Sequence, residues 1–482
     1  MTSTPPLGTL LRGAGESLID QVVRLVAARI DDKLLRSGAR MPSIRQFAAS
    51  HGVSAFTVVA SYDKLVASGY LTSRRGAGFF VRERSPRNTG TGSAAAADGA
   101  ASAAAAPAID VVWLIRNTFR QMPSANMPGA GVLPAEWMDG DMLAQALRAL
   151  SRQSSKLLIN YGAAQGFLPL RQQLQRKLAE LDIGAAPEQF VTTVGVTQAL
   201  NLVAREFTRP GDTVFVDDPA WYLMFGSFTE MGLNVVGIPR LADGPDLAYL
   251  AAMAAQHRPK LYVINSVLHN PTSGSLSAAK AFQVLRLAEG YGFTIVEDDI
   301  YSDLHPGGAM QSPTRLAALD QLQRVIYLGG FSKTLAANLR LGFIATSPEW
   351  ALRLADRKML ATLSTSDIGE RVVYKILSEG LYRKHLERMR GRLDAVRAKA
   401  LRQMERCGLR LDSTPAAGIF VWADTGRDTV VLAERAMADG LLLAPGCLFS
   451  PRQLPSTRTR LNLACFDEPA VVRFFDRELG GS

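Results

Sequence analysis

Apolar positions in the first eighty residues follow a helical period and then a strand period. Leu18, Val22, Leu25, Val26 and Ile30 fall on one face of a helix predicted over Leu18 to Leu35. Arg40-Met41-Pro42-Ser43 breaks the pattern, and Ser43 is placed to cap a short helix through Ile44, Phe47 and Ala48. His51-Gly52-Val53 reads as a turn, Ser54 as the cap of a third helix over Ala55 to Ser68, and Gly69 as its C′ residue. Tyr70 to Ser73 and Phe79 to Val81, joined by the basic, glycine-rich Arg74-Arg75-Gly76-Ala77-Gly78, predict a hairpin. From about Val111 strands and helices alternate. Strands are expected at Phe190 to Val194, Thr213 to Val216, Asn234 to Ile238, Leu261 to Asn265, Thr294 to Glu297 and Arg324 to Leu328. Helices over Thr197 to Phe207 and Ser277 to Glu289 fall between them. Such alternation predicts a largely parallel sheet covered by helices, with a site at the carboxyl ends of its strands. A smaller subdomain is expected from about Pro348, with long helices and then strand-rich sequence around Gly418 to Trp422.

Between these regions, residues 85–108 are Ser/Gly-rich and then Ala-rich, with nothing to bury a core, and read as a flexible tether. The division expected is therefore a small α+β unit over 11–84, the tether, and an α/β unit over 109–482. The 482 residues are 47% apolar and 20% charged, ordinary values for a globular protein. No apolar run reaches the length of a membrane span, and Met1 to Gly8 lacks the pattern of a signal peptide. Cys407, Cys447 and Cys465 have neither a disulfide framework nor metal-ligand spacing, which suits a reducing cytoplasm and predicts no metal site. Net charge is +10, and residues 1–84 carry 12 Lys and Arg against 6 Asp and Glu. Over half of the excess thus lies in the first sixth of the chain, a pointer to a polyanion partner there.

Three helices and a hairpin in this order suit a winged helix-turn-helix, although a small helical domain without a DNA partner has the same pattern. The residues narrow the choice. Met41-Pro42-Ser43-Ile44-Arg45-Gln46-Phe47-Ala48, Gly52-Val53-Ser54, Thr57-Val58, Tyr62-Asp63-Lys64-Leu65 and Gly76-Ala77-Gly78-Phe79-Phe80-Val81 resemble the GntR family of bacterial repressors over about seventy residues. The resemblance implies DNA contacts from Ser43, Arg45, Ser54, Thr57 and Tyr62, and from Arg74, Arg75 and Gly78 in the wing. Relatives often carry Arg after the serine of the recognition helix, where this chain has Ala55-Phe56.

The strand ends of the larger unit form a second constellation. Gly195-Val196-Thr197-Gln198 opens a helix whose free N–H groups suit a phosphate. Asp217-Asp218-Pro219-Ala220-Trp221 places an aromatic ring at a turn, and His269-Asn270-Pro271-Thr272 follows a later strand. Glu297-Asp298-Asp299-Ile300-Tyr301 supplies a carboxylate and a phenol, and Gly329-Gly330-Phe331-Ser332-Lys333 with Arg340 supplies an amine and a guanidinium. Each has a plain alternative: Trp221 and Tyr301 as packing, Asp298 as a cap, Asn270-Pro271 as a turn. Together they meet the needs of pyridoxal phosphate: a lysine for its aldehyde, a carboxylate for the pyridine nitrogen, and an arginine for the phosphate.

Order and spacing resemble the fold-type I aminotransferases from Ile109 to Leu479. The resemblance implies that Lys333 is the Schiff-base lysine, Asp298 the partner of the pyridine nitrogen, and Asn270 and Tyr301 the partners of the phenolate oxygen. It further implies stacking by Trp221 and phosphate binding by Arg340, Ser332 and the Val196, Thr197, Gln198 turn. Tyr161 matches a tyrosine that reaches the phosphate of a neighbouring subunit, which implies a homodimer. Arg460 matches the arginine that grips a ligand carboxylate, although Arg458 lies close enough to serve instead. Three departures from the family stand out: Gly330 stands for a serine, Ser273 for a glycine, and the pair Ala337-Asn338 for Pro-Gly.

A GntR-type winged helix joined to an aminotransferase-like domain is similar to the MocR subgroup of bacterial regulators. That implies a DNA-binding transcription regulator sensing pyridoxal phosphate, an amino acid or an amine through an aldimine at Lys333, with operator DNA as partner. The alternatives are an active aminotransferase with an accessory DNA-binding domain, and a DNA-binding protein whose large domain is vestigial.

Overall fold

The computed structural model describes residues 17–32, 34–74, 76–82, 110–119, 122–153, 159–306, 313–411 and 413–480. The chain divides into two compact units, Met1–Ala103 and Ala104–Ser482. The tether expected over 85–108 lies outside the described residues, as does Arg75.

The first unit contains α1 (Leu18–Asp31), α2 (Ile44–His51), α3 (Ala55–Ala67) and the antiparallel hairpin β1 (Leu71–Arg74) and β2 (Gly78–Val81). Ser43 caps α2 in a reciprocal box with Gln46, and Ser54 accepts from the Thr57 N–H at the start of α3. Gly52 and Gly69 turn the chain in the left-handed region, at φ 63 and 73. Val22, Val26, Phe47, Val58, Tyr62, Leu65 and Val81 close the core. One element is absent from the periodicity. Arg40 bridges Phe80, and the Met41 N–H donates to the Phe79 carbonyl at 2.8 Å, so the chain before α2 forms a third, short edge on the hairpin.

The second unit opens with α4 (Val111–Thr118), α5 (Gly140–Ser151) and α6 (Leu168–Ala179). The alternation that follows runs β3 (Phe190–Thr193), α7 (Gly195–Phe207), β4 (Thr213–Asp218), α8 (Tyr222–Glu230), β5 (Asn234–Leu241), β6 (Gly244–Pro245), α9 (Leu247–His257) and β7 (Leu261–Ile264). It continues through α10 (Ala278–Tyr291), β8 (Thr294–Asp298), α11 (Leu316–Asp320), β9 (Val325–Gly330) and β10 (Gly342–Ala345). These strands form one sheet in the order β3-β10-β9-β8-β7-β4-β5-β6. Strands β9, β8, β7, β4 and β5 are parallel, whereas β10 runs antiparallel to both neighbours. Two reversals restore the direction, so β3 points the same way as the parallel set. The carboxyl ends of β3, β4, β7, β8 and β9 therefore share one edge of the sheet, the place where such sheets hold ligands.

Helices α12 (Pro348–Thr362), α13 (Asp367–Ser378) and α14 (Leu381–Arg406) lead into a four-stranded antiparallel sheet, β11 (Arg410–Leu411), β12 (Phe420–Asp424), β13 (Ala444–Pro445) and β14 (Arg458–Asn462), with α15 (Thr429–Ala438) and α16 (Pro469–Leu479). The smaller subdomain does not gather everything after Pro348. Val372, Val373 and Ile376 of α13 share a core with Leu170 and Leu174 of α6, and Ala351 and Leu354 of α12 share one with Leu200 and Val203 of α7. The apolar stripes of α12 and α13 thus belong to the large sheet, and the separate small core begins near Ala400. Among the described residues no helix is long and apolar enough to cross a membrane.

Candidate functional site

The shared strand edge opens into a cavity of about 560 Å³. Val196 and Thr197 line it from the first turn of α7, Trp221 from the start of α8, and Asn270 from the loop after β7. Asp298 ends β8, Tyr301 follows it, and Ser332, Lys333 and Arg340 come from the connection between β9 and β10. Nine sequence-predicted residues from five strand ends thus converge on one space.

Electrostatics there are set by burial. Lys333 is pushed down to about 8 by burial, then by the Arg460 and Arg340 guanidinium groups, against the pull of Asp298. Burial lifts the Asp298 carboxyl to about 7, even though its Oδ1 accepts the Ile300 N–H at 3.2 Å. Burial also raises the Tyr301 phenol, whose ring stacks edge-on against Phe420 at 5.1 Å. The Lys333 Nζ lies 5.9 Å from the centre of the Tyr301 ring.

Two further features suit a phosphate. The buried Ser332 hydroxyl has no hydrogen-bond partner among the described residues. At Gly195, φ 74, a Cβ would come 2.9 Å from Arg340 Nη2, so glycine lets the guanidinium lie against the opening turn of α7. The Ser332 hydroxyl, the Arg340 guanidinium beside the opening turn of α7, the Lys333 amine and the Asp298 carboxylate belong to residues that line the one cavity. This set fits pyridoxal phosphate.

Three predicted residues lie elsewhere. The Gln198 side chain accepts from the Val194 N–H at 2.6 Å and donates to Thr362, so it caps its own helix. Tyr161 is 83% exposed and does not line the cavity. Arg460 is 1% exposed and donates to Asn270 Oδ1 at 2.9 Å and to the Gly129 carbonyl at 2.6 Å, with its guanidinium over the Phe420 and Phe449 rings. Arg458, the alternative to it, is only partly buried, on the same strand.

Sequence reasoning missed two further residues of the cavity wall. Asn265, one residue beyond β7, donates to the Asp298 carbonyl at 2.5 Å and accepts the Asn270 N–H at 2.8 Å, locking two site loops together. Its position at a strand end was the available signal. Asp217 is buried with Arg240, Tyr262 and His269; burial pushes its carboxyl up, but Arg240 and the hydrogen bonds outweigh this and hold it low.

The departures now have local reasons. A Cβ on Gly330 would meet Ile300 Cδ1 at 2.9 Å and Val196 Cγ2 at 3.3 Å, so those side chains fill the space of a serine. Ser273, at φ 56, donates to the Phe420 carbonyl at 2.9 Å and accepts the Phe420 N–H at 3.2 Å, tying the loop to β12. Ala337 and Asn338 form part of the cavity rim.

In the first unit Ser43, Arg45, Ser54 and Arg74 are exposed, and Thr57 and Gly78 are half-buried. Tyr62 is a correction. It is fully buried between Phe47 and Phe79, and its hydroxyl donates to the Pro42 carbonyl, so its side chain offers nothing to DNA.

Comparison with known proteins follows this division. The profile for aminotransferase class I and II matches residues 129–477. The chain belongs to that family. Ahead of it, the profile for bacterial regulatory proteins of the gntR family matches residues 18–81, so this class I and II aminotransferase relative carries a DNA-binding unit. The HTH-type transcriptional regulator YdcR of Escherichia coli strain K12 is 26% identical over 92% of this chain and 94% of its own length, so the resemblance spans both units. The probable rhizopine catabolism regulatory protein MocR of Rhizobium meliloti is 29% identical, covering 80% of this chain and 77% of that one. Among solved structures, LysN, the alpha-aminoadipate aminotransferase of Thermus thermophilus in complex with N-(5'-phosphopyridoxyl)-L-leucine, aligns with a TM-score of 0.69. It is 27% identical over 76% of this chain and 94% of that chain.

Proposed function

We propose that this chain is a pyridoxal-phosphate-dependent transcription regulator of bacteria, working in the cytoplasm as a homodimer, whose aminotransferase-like unit senses an amino acid or amine and alters operator binding. The observation that carries the reading is the co-occurrence, in one chain, of a lysine cavity with its complete partner set and a gntR-type helix-turn-helix. Bound pyridoxal phosphate supplies an aldehyde for which a lysine and an amine ligand compete, on an electron-withdrawing pyridine ring.

The chain's own groups act around it. Lys333, lowered from 10.5 to about 8, gives up its proton more readily than a solvated lysine and so offers a free amine at lower pH. Asp298 would partner the ring nitrogen, Asn270 and Tyr301 the phenolate oxygen, and Trp221 would stack on the ring. Ser332, Arg340 and the first-turn N–H groups of Val196, Thr197 and Gln198 bind the phosphate. Exposed Tyr161 reaches the phosphate of the neighbouring subunit. Arg460 takes a ligand carboxylate only after leaving Asn270 Oδ1 and the Gly129 carbonyl, so carboxylate binding exchanges contacts between the small sheet and the segment before α5. Ser43, Arg45, Ser54, Thr57, Arg74, Arg75 and the Gly78 turn contact DNA.

In the decisive test the full-length protein is titrated with a panel of amino acids and amines. Cofactor absorption and binding to duplex DNA from upstream of its own gene are recorded together. Lys333→Ala is expected to abolish the lysine-dependent band and the ligand effect on DNA binding. Ligand-dependent DNA binding that survives in Lys333→Ala sinks the sensing mechanism. The complete partner set also favours a second reading, an active aminotransferase; sustained turnover with 2-oxoglutarate as acceptor would establish it in place of sensing.

A further inference from the structure

Helix α3, the second helix of the helix-turn-helix pair, is the element whose first residues meet base edges in such a motif. Its start is chemically unusual. Ser54 caps the helix: its hydroxyl accepts the Thr57 N–H at 3.0 Å and lies 2.8 Å from the Thr57 hydroxyl. The next six residues, Ala55 to Ala60, contain no Arg, Lys, Asn or Gln, the side chains that read guanine and adenine through paired hydrogen bonds. Lys64, more than two turns along from Ala55, is held by Asp20 at 2.8 Å.

What protrudes instead is apolar. Val58, Tyr62 and Leu65 point into the core, but Phe56 stands 77% exposed, with Val59 one turn on at 38%. An aromatic side chain left so far in water gains free energy from any apolar surface that covers it. A surface available in the major groove, to an element whose first turns carry only the Ser54 and Thr57 hydroxyls and no side chain for paired hydrogen bonds, is the C5 methyl of thymine. The net positive charge of residues 1–84 favours a nucleic-acid occupant over a second copy of the same basic surface.

We infer that Phe56 is a specificity-determining residue that reads thymine methyl groups in the major groove. This rests on the DNA-binding reading of the first unit, and the test separates the two. Full-length protein is used to select duplexes from a random-sequence pool. The best duplex is then resynthesised with each thymine in turn replaced by deoxyuridine, which removes the methyl and nothing else. Affinities are compared by anisotropy at one fixed salt concentration. Wild type is expected to lose roughly four-fold at one or two positions, the worth of a buried methyl. In Phe56→Ala the thymine-to-deoxyuridine ratio at those positions collapses to one, whereas Phe56→Leu, which keeps an apolar branch, retains part of it. A wild-type protein indifferent to deoxyuridine everywhere overturns the inference, as does a ratio that persists in Phe56→Ala. Conversion of the protein to a smaller oligomer by Phe56→Ala also overturns it, since a second copy would then cover the ring. Failure to enrich or bind any duplex instead removes the DNA-binding reading itself, and the inference falls with it.

Discussion

A serine at position 330 needs space that Ile300 and Val196 already fill, so Gly330→Ser is expected to cost about 1–3 kcal/mol through overpacking. Thermal unfolding of cofactor-free protein measures this, and a second change, Ile300→Val, is expected to recover part of the loss. Ser273→Ala strands the Phe420 N–H and carbonyl, both buried, and is expected to cost about 1–3 kcal/mol; Ser273→Gly loses the same bonds but relaxes the left-handed backbone, so it is expected to lose less. Protonation supplies a third residue-scale effect. Asp298, raised from 3.8 to about 7, keeps a proton in the folded, cofactor-free protein that the unfolded chain has lost, so its contribution falls as pH rises through that window. Lys333, lowered from 10.5 to about 8, acts oppositely: between those values the unfolded chain holds the extra proton, and stability rises with pH. Asp298→Asn is accordingly expected to flatten the decline in unfolding temperature between about pH 4 and pH 7. Residue types at strand ends made the primary groups legible in the sequence. For Asn265 and Asp217 only their place at or near a strand end could have signalled a role, because a hydrogen bond to another loop's backbone, or an ion pair between adjacent strands, leaves no mark on local spacing.

Strands announce themselves by apolar runs, and the parallel set of the large sheet was legible for that reason. Strand β10 was missed because Gly342–Ala345 follows directly on the turn that carries Arg340, with no break in the sequence to mark its start. Its omission hid the reversal that aligns β3 with the other site-bearing strands. The edge at Arg40 was missed for another reason: a single bridged residue has no period to read. Helices α12 and α13 show the limit of order along the chain, since an amphipathic helix reveals that it has an apolar face but not which core receives it. Other attachments come from single side chains. The buried Asn462 amide donates to the Ala130 and Val132 carbonyls, and its own N–H donates to Pro128, stitching that segment to β14. Asn462→Ala is expected to cost about 1–3 kcal/mol and to raise amide exchange across 126–132 while α10 is unaffected.

On the scale of the whole molecule, the two units divide charge and chemistry between them. Residues 1–84 hold over half of the net +10, and the second unit holds the lysine cavity. DNA affinity is therefore expected to fall steeply with salt, and Arg45→Ala is expected to reduce the magnitude of the log–log slope by about one phosphate contact. The bases preferred should change little with that substitution, because phosphate contacts position the protein without reading sequence. Helix α4 has a further consequence. Ile115, Thr118 and Phe119 line the cavity, and α4 is the first described element after residues 85–108. A ligand seated against Ile115, Thr118 and Phe119 thus contacts the first described helix of the second unit. In the proposed regulator, a seated α4 would end the connection between the two units at Val111, and a released α4 would add its own residues to that connection. The local concentration of one DNA-binding unit at the second half of an operator falls as about the −3/2 power of that connection's length. In the proposed homodimeric regulator, occupancy of the cavity would be read out as avidity for a paired operator.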